Sequence, residues 1–191
     1  LFKDPSNHVG KLYIHDWILK HTNKEDYVLD IGCGHGVLCY WLKKEGRYPT
    51  GIDLSQISLD FCTKSIPGVK FLKGEAEKLP FQDSLFDVVA SNQLIEHLPT
   101  PELAIKEMIR VCKPNGKILI TTPIKDFMGG REVGHLHSFD FYNIMDFRKC
   151  CLGYEYYAYY SESGYQTSQT WLEYLEDVVK PYIEQERQKL V

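Results

Sequence analysis

Short apolar runs alternate along the chain with segments in which apolar residues recur at helical spacing. The apolar runs predict strands at residues 27–31, 48–53, 69–72, 86–91 and 117–122. Helices are predicted between them, over residues 36–44, from about Ser55 to Lys64, and from Pro101 onward. Strands and helices that alternate at this spacing are typical of βαβ units on a parallel sheet. The pattern therefore predicts an α/β fold with a doubly wound, mostly parallel sheet in a single domain.

The segments outside this alternating region are less regular. Apolar residues within 10–20 favour a helix before the first strand, and residues 140–149 favour one after the fifth. Residues 154–160 are rich in tyrosine and favour a strand, since aromatic side chains suit a half-buried pleated surface. Residues 169–179 favour an amphipathic helix.

The composition narrows the class of protein. The 191 residues carry 22 Lys and Arg against 26 Asp and Glu, and this formal charge of -4 argues against general binding to nucleic acid. No apolar run approaches the roughly 20 residues needed to span a bilayer. The six cysteines form no C-x-x-C pair and lie mostly among apolar residues, as in a reduced protein. We therefore expect a cytoplasmic protein without a membrane span.

Ligand chemistry is expected where the strands end, because parallel α/β sheets bind ligands at the carboxyl ends of their strands. The first strand ends in D-I-G-C-G-H-G at residues 30–36, where glycines let the backbone approach a ligand closely. The spacing G-x-G-x-G differs from the G-x-G-x-x-G of dinucleotide-binding folds, and Val37 stands where their third glycine would fall. Asp53 ends the second strand, 21 residues after Gly32, where an acid can accept both hydroxyls of a ribose.

Four more segments follow the glycine loop in a fixed order: G-I-D-L-S at 51–55, G-E-A-E-K-L-P-F at 74–81, F-D-V-V at 86–89 and R-V-C-K-P-N-G at 110–116. In this order and spacing they resemble the class I S-adenosylmethionine-dependent methyltransferases, in the broad subgroup that includes the ubiquinone- and menaquinone-biosynthesis methyltransferases. The resemblance covers about residues 27–123 and extends more loosely to 150. It implies a Rossmann-like methyltransferase fold, S-adenosylmethionine as methyl donor and S-adenosylhomocysteine as product.

The resemblance implies a first group of cofactor-binding residues on the glycine loop and the second strand. Asp30 would order the loop and the methionine end of the cofactor. The backbone at Gly32 and Cys33, in the loop that continues through Gly34, would approach the methionine amino group. Asp53 would bind the ribose hydroxyls.

A second group of implied cofactor-binding residues follows the second, third and fourth strands. Leu54 would flank the adenine. Glu75, where the family usually has Asp, would contact the adenine amino group, and the N–H of Ala76 would reach a ring nitrogen. Asn92 and Gln93 would lie beside the sulfonium.

The acceptor side is predicted from two histidine-bearing segments, residues 92–97 and 134–140, which follow the fourth and fifth strands. Methyl transfer mainly requires that donor and acceptor are held close and in line. A general base helps only when the acceptor arrives protonated. We predict His97 and His137 as the catalytic residues that take a proton from a hydroxyl acceptor. A purely structural role, in ordering the loops, is the alternative for both.

A metal site is a further alternative, and otherwise no metal is expected. Some relatives, among them small-RNA 2′-O-methyltransferases, bind a divalent ion through an E-x-x-E-H segment and a later histidine. Here Gln93 replaces the first acid, and an amide is a poorer ligand for a hard cation than a carboxylate. In this alternative Glu96, His97 and His135 would be the ligands.

We expect one domain over residues 1–191, with an N-terminal helical lid (1–26), a cofactor-binding core (27–123) and an acceptor-side loop, strand and C-terminal helix (124–191). The family usually ends in two more strands, and residues 154–160 offer one. The predicted acceptor is a small molecule methylated at oxygen, nitrogen or carbon. A metal-assisted RNA 2′-O-methyltransferase, a non-catalytic cofactor-binding regulatory subunit and a dinucleotide dehydrogenase stay open as alternatives, and so does the oligomeric state.

Overall fold

The computed structural model describes residues 13–123, residues 136–137 and the strand at residues 155–161. The chain divides into two compact units, Leu1–Tyr160 and Ser161–Val191, and the described residues other than Ser161 belong to the first. The helices predicted at 140–149 and 169–179 lie outside the described residues. They stay predictions, as does the organisation of the whole chain into one domain. Within the described ranges, no helix has the length and apolar character that crossing a membrane requires.

Each strand and helix predicted within the described residues is present. The helices are α1 (Tyr13–Lys20), α2 (Val37–Lys44), α3 (Gln56–Ser65) and α4 (Pro101–Val111), with a short 3₁₀ helix at Ile95–His97. The strands are β1 (Tyr27–Ile31), β2 (Tyr48–Asp53), β3 (Lys70–Lys73), β4 (Phe86–Asn92), β5 (Cys112–Pro123) and β6 (Glu155–Ser161).

The six strands form one sheet in the order β3-β2-β1-β4-β5-β6. Strand β1 pairs in parallel with β2 and β4, β2 pairs in parallel with β3, and β4 with β5. The chain moves outward from β1 to β3 and then crosses back to β4 on the other side of β1. Because such crossovers are right-handed, this reversal puts α2 and α3 on one face of the sheet and α4 on the other. The doubly wound, mostly parallel sheet is therefore confirmed, and its switch point lies between β1 and β4.

Helices α1 and α2 cover one face of the central strands. The buried cluster on that face consists of Ile18, Leu19, Val28, Leu38, Leu42, Val88, Ala90 and Leu119. Leu38 and Leu42 are one helical turn apart, so α2 presents both to the sheet. Ile18 and Leu19 of α1 are buried in the same cluster, so α1 packs into the core. A lid function for residues 1–26 stays a prediction.

Strand β5 begins five residues earlier than predicted and is irregular at its start. Phe86 of β4 pairs with Cys112, whereas Val88, two residues later, pairs with Lys117. The Lys-Pro-Asn-Gly residues at 113–116, which are typical of a turn, therefore interrupt the pairing inside the strand. The pairing becomes regular from Lys117 onward and continues to Thr121 beside the end of β4.

Candidate cofactor and acceptor site

The glycine loop between β1 and α2 uses three glycines with left-handed backbone. Gly32, Gly34 and Gly36 have φ angles of 71°, 49° and 74°. A side chain at Gly32 would lie 2.9 Å from Leu94 Cδ1, and one at Gly36 would lie 2.7 Å from Ile66 Cδ1. A side chain at Gly34 would meet no atom within 4 Å. The outer two glycines are therefore closely packed, and Gly34 faces open space.

Internal hydrogen bonds hold this loop in place. The amides of Gly32 and Cys33 both donate to the carbonyl oxygen of Ile52 in β2, at 2.8 and 3.1 Å. The amide of Gly36 donates to the carbonyl oxygen of Cys33 at 2.8 Å. The amides of Gly32 and Cys33 are therefore not available to an outside acceptor, since both already donate to Ile52.

Asp53, at the end of β2, connects the loop to the start of α3. Its Oδ2 accepts a hydrogen bond from the amide of Gly34 and its Oδ1 accepts one from the amide of Ser55, each at 2.8 Å. A carboxylate has about four lone-pair positions, so two remain for outside donors. The neighbouring Leu54 side chain is 60% exposed and offers an apolar surface next to the acid. The predicted ribose contact of Asp53 and adenine contact of Leu54 stay predictions.

Asp30 is the buried acid of the site. It lies in β1 between Gly51 of β2 and Ala90 of β4, and it is 2% exposed. The thiol of Cys39 donates a hydrogen bond to its Oδ2 at 3.4 Å. Burial raises the pKa of the Asp30 carboxyl to about 7. The hydrogen bond from Cys39 lowers this pKa, and the charge of Asp53 raises it.

The segment after β3 is held against the end of β2. The amide of Gly74 donates to the carbonyl oxygen of Asp53 at 3.1 Å. A side chain at Gly74 would lie 2.7 Å from Ile52 Cδ1, so the two segments pack closely here. Glu75 is exposed and Ala76 is buried. The predicted adenine contacts therefore lie at the same edge of the sheet as Asp53.

The predicted pair at the end of β4 is bound to β5. Thr121 Oγ1 donates to Asn92 Oδ1 at 2.6 Å, and the amide of Gln93 donates to the carbonyl oxygen of Thr121 at 2.9 Å. Gln93 has a φ of 52°, which turns the chain sharply away from β4. Thr121 and its neighbour Thr122 are buried polar residues that the sequence analysis missed. The sequence does carry a signal for them, because these two threonines follow the apolar run at residues 118–120 at the end of a predicted strand.

Glu96 joins three segments on the acceptor side. Its carboxylate is buried, and Oε2 accepts a hydrogen bond from Thr122 Oγ1 at 3.0 Å. Its backbone carbonyl oxygen accepts from the amides of Leu136 and His137 at 2.8 and 3.1 Å. The end of β5, the 3₁₀ helix and residues 136–137 therefore meet at one acid.

The two predicted catalytic histidines both lie next to Glu96. Nε2 of His97 is 4.0 Å from Oε1 of Glu96, and the His97 side chain is 42% exposed. His137 is held by its amide on the Glu96 carbonyl oxygen. His135, the third ligand of the metal alternative, lies outside the described residues. The residues that are described hold no group of three His, Cys, Asp or Glu side chains that could bind a metal ion.

The chemistry of the site fits a cationic ligand that has no phosphate. The amides at residues 32, 33, 34 and 36 all donate within the protein, so these four offer no cradle for a phosphate. Asp53, and Asp30 once it is ionised, would repel an anion and favour a cation. Ribose hydroxyls are donors and suit the acceptor-only carboxylate of Asp53. Fold and site together define a Rossmann-like domain suited to a nucleoside with a positively charged tail.

Comparison with known proteins agrees with this class. Residues 29–120 match the family described as a methyltransferase domain. The chain is 32% identical over 110 residues to a ubiquinone biosynthesis O-methyltransferase of Coxiella burnetii, which covers 56% of this chain and 47% of that protein. It is 36% identical over 98 residues to a fatty-acid O-methyltransferase of Mycolicibacterium smegmatis, which covers 49% and 36%. The chain thus spans half or less of the length of these two relatives.

The fold is similar to the crystal structure of the YcgJ protein from Bacillus subtilis. The TM-score is 0.64 at 22% identity, and the match covers 72% of this chain and 67% of that one. At this identity the likeness concerns the fold. The family match and the related methyltransferases, together with the glycine loop and the acid after β2, identify residues 29–120 as a domain of the class I S-adenosylmethionine-dependent methyltransferases.

Proposed function

We propose that this protein transfers a methyl group from S-adenosylmethionine to an oxygen of a small-molecule acceptor and releases S-adenosylhomocysteine. The observation that carries the proposal is the combination of two carboxyl groups, Asp30 and Asp53, with a loop whose amides are bonded within the protein. A dinucleotide would bring phosphates to this loop and meet repulsion there. The sulfonium cofactor brings positive charge and hydroxyl donors.

The cofactor would extend along the carboxyl ends of the strands. Asp53 would bind the ribose, and Leu54 would pack against one face of the adenine. Glu75 and the amide of Ala76 would form hydrogen bonds with the edge of the adenine. Asp30 and the carbonyl oxygens of the glycine loop would hold the methionine end.

Asn92 and Gln93 would border the reacting centre, because Asn92 ends β4 and Gln93 follows it at the switch point. When bound, the cofactor supplies an activated methyl group on a good leaving group. The remaining requirement on the protein is to hold the acceptor oxygen in line and close, which can contribute several kcal/mol to lowering the barrier.

The acceptor side is proposed around Glu96. His97 lies near this buried acid through its side chain and His137 through its backbone amide, and either imidazole would accept the proton of a hydroxyl acceptor. Oxygen as the accepting atom is supported by the two relatives, which are named as O-methyltransferases. A small molecule rather than a nucleic acid agrees with the formal charge of -4.

The test is label transfer from methyl-labelled S-adenosylmethionine to a fractionated cell extract. We expect label in the small-molecule fraction, with and without EDTA, and loss of transfer in Asp53→Ala. Asp60→Ala is the matched control, because Asp60 is an exposed acid whose carboxylate is bonded to Gln56 on α3. Label only in RNA that EDTA abolishes would replace this proposal with the metal-assisted alternative. Binding of S-adenosylhomocysteine without label in any fraction would favour the non-catalytic one.

A further inference from the structure

Asp30 is a buried carboxyl group without a cationic partner among the described residues. It is 2% exposed and lies in the central strand of the sheet, directly before the glycine loop. Its hydrogen bond comes from the neutral thiol of Cys39 at 3.4 Å. A bare carboxylate in such a place is costly, and burial favours its protonated form.

The ionisable groups around Asp30 do not offset this cost. Cys39 faces it from α2, Asp53 acts on it from β2, and it acts in turn on Cys33 of the loop and Cys62 of α3. From β4 its register partner is Ala90, which does not titrate. Each of these groups is neutral or negative. The charges that the fold places near Asp30 therefore oppose its ionisation.

A ligand cation changes the balance, because an opposite charge within a few ångströms favours the ionised carboxyl. The proposed cofactor carries positive charge on its sulfonium and on its amino group. We infer that Asp30 is protonated in the free protein and releases its proton when the cofactor binds, so that cofactor binding is coupled to proton release. The inference rests on the proposed function, since it requires the cationic end of the cofactor beside the loop.

The coupling has a defined direction. Below neutral pH, binding must first remove a proton from Asp30, so affinity falls as the pH falls. Above neutral pH, the free protein already holds the carboxylate and affinity is constant. With a free carboxyl that titrates at about 7, binding is expected to be about tenfold tighter at pH 8 than at pH 6. About 0.9 proton should leave at pH 6 and about 0.1 at pH 8.

The experiment is calorimetric titration of the protein with S-adenosylhomocysteine, whose amino group supplies a cation. Each titration is run in phosphate and in imidazole buffer, at pH 6 and pH 8. Because the two buffers differ in ionisation enthalpy, the difference in observed heat counts the protons released. We expect release close to one proton at pH 6 in the protein and in Asp60→Asn, and none in Asp30→Asn. Binding without proton release at pH 6, or release that persists in Asp30→Asn, would overturn the inference.

A second variant covers the case in which Asp30→Asn does not fold or bind. Cys39→Ala removes the hydrogen bond that lowers the pKa of Asp30, so the pH at which affinity begins to fall should move upward. An unchanged pH profile would contradict the assignment to Asp30. No heat with S-adenosylhomocysteine at either pH, in a folded protein, would refute the proposed function instead.

Discussion

The amide of Gly34 donates a hydrogen bond to Oδ2 of Asp53 at 2.8 Å. This bond links the middle of the glycine loop to the acid that ends the neighbouring strand. The same carboxylate accepts from the amide of Ser55, the N-cap residue of α3. Asp53 therefore fixes two segments that the cofactor would touch, and it keeps lone pairs for the ribose.

Replacement of Asp53 by alanine should weaken binding of S-adenosylhomocysteine at least tenfold, about 1.4 kcal/mol. The variant loses the ribose acceptor and the bond that orders Gly34. Titration calorimetry measures the dissociation constant, with Asp60→Ala as the control that should bind normally. An unchanged dissociation constant in a folded Asp53→Ala protein would refute the ribose assignment.

Alanine at Gly34 and at Gly36 should have different effects. Both positions have left-handed backbone, where a side chain costs roughly 1 kcal/mol of stability. At Gly36 the new methyl group would also clash with Ile66, so this variant should lose further stability. At Gly34 it enters open space, so cofactor affinity should fall more than stability. Thermal unfolding measures the loss of stability in each variant, and titration with S-adenosylhomocysteine measures the loss of affinity. Equal losses of stability in the Gly34 and Gly36 variants would contradict this account of the loop.

Asparagine at Asp30 should stabilise the ligand-free protein at neutral pH. Folding raises the pKa of this carboxyl from 3.8 to about 7, so the folded state keeps a proton that the unfolded state releases. Its contribution to stability therefore becomes less favourable as the pH rises from about 4 to about 7, and then stays constant. The increase in the free energy of unfolding caused by Asp30→Asn should be absent near pH 4 and reach at most the order of 4 kcal/mol above pH 7. Urea unfolding across this range tests it, and a gain that does not vary with pH would contradict it.

Valine at Thr122 should disturb the acceptor side without affecting the cofactor. The change removes the hydrogen bond to the buried Glu96 carboxyl group, and such a bond contributes about 0.5–1.5 kcal/mol. We expect a lower melting temperature and slower methyl transfer, with an unchanged dissociation constant for S-adenosylhomocysteine. The control is Thr63→Val on α3, whose hydroxyl bonds to the carbonyl oxygen of Leu59 far along the chain from Glu96. Weakened S-adenosylhomocysteine binding in Thr122→Val would show that Glu96 serves the cofactor side as well.

Alanine at His97 and at His137 tests the proposed proton acceptors. If one of them takes the acceptor's proton, its variant should lose roughly 10²-fold or more in transfer rate. S-adenosylhomocysteine should bind both variants normally. Full activity in both would leave these histidines with a structural role.

Much of this fold was predictable because its strands are buried runs and its helices carry clear end signals. Ser55 was predicted to begin α3, and its hydroxyl accepts from the amide of Ser58 as an N-cap does. The start of β5 was not predictable in the same way. Residues 113–116 are typical of a turn. Only the pairing with β4, at Cys112 before them and at Lys117 after them, shows that they lie inside one strand.

The cofactor side of the site was also predictable, since glycines and acids stand directly after strands. The acceptor side was less so, because its contacts are tertiary. The hydrogen bond between Thr122 and Glu96 joins residues that are 26 positions apart in the chain, so no local sequence pattern predicts it. The burial of Asp30 was likewise invisible in the sequence, although it decides the ionisation of that residue.

The most direct test of the central claim is label transfer from methyl-labelled S-adenosylmethionine to the small-molecule fraction of a cell extract. The account predicts a labelled small molecule that forms equally with and without EDTA and that disappears in Asp53→Ala. A small-molecule fraction without label, from a folded protein supplied with cofactor and extract, would contradict it.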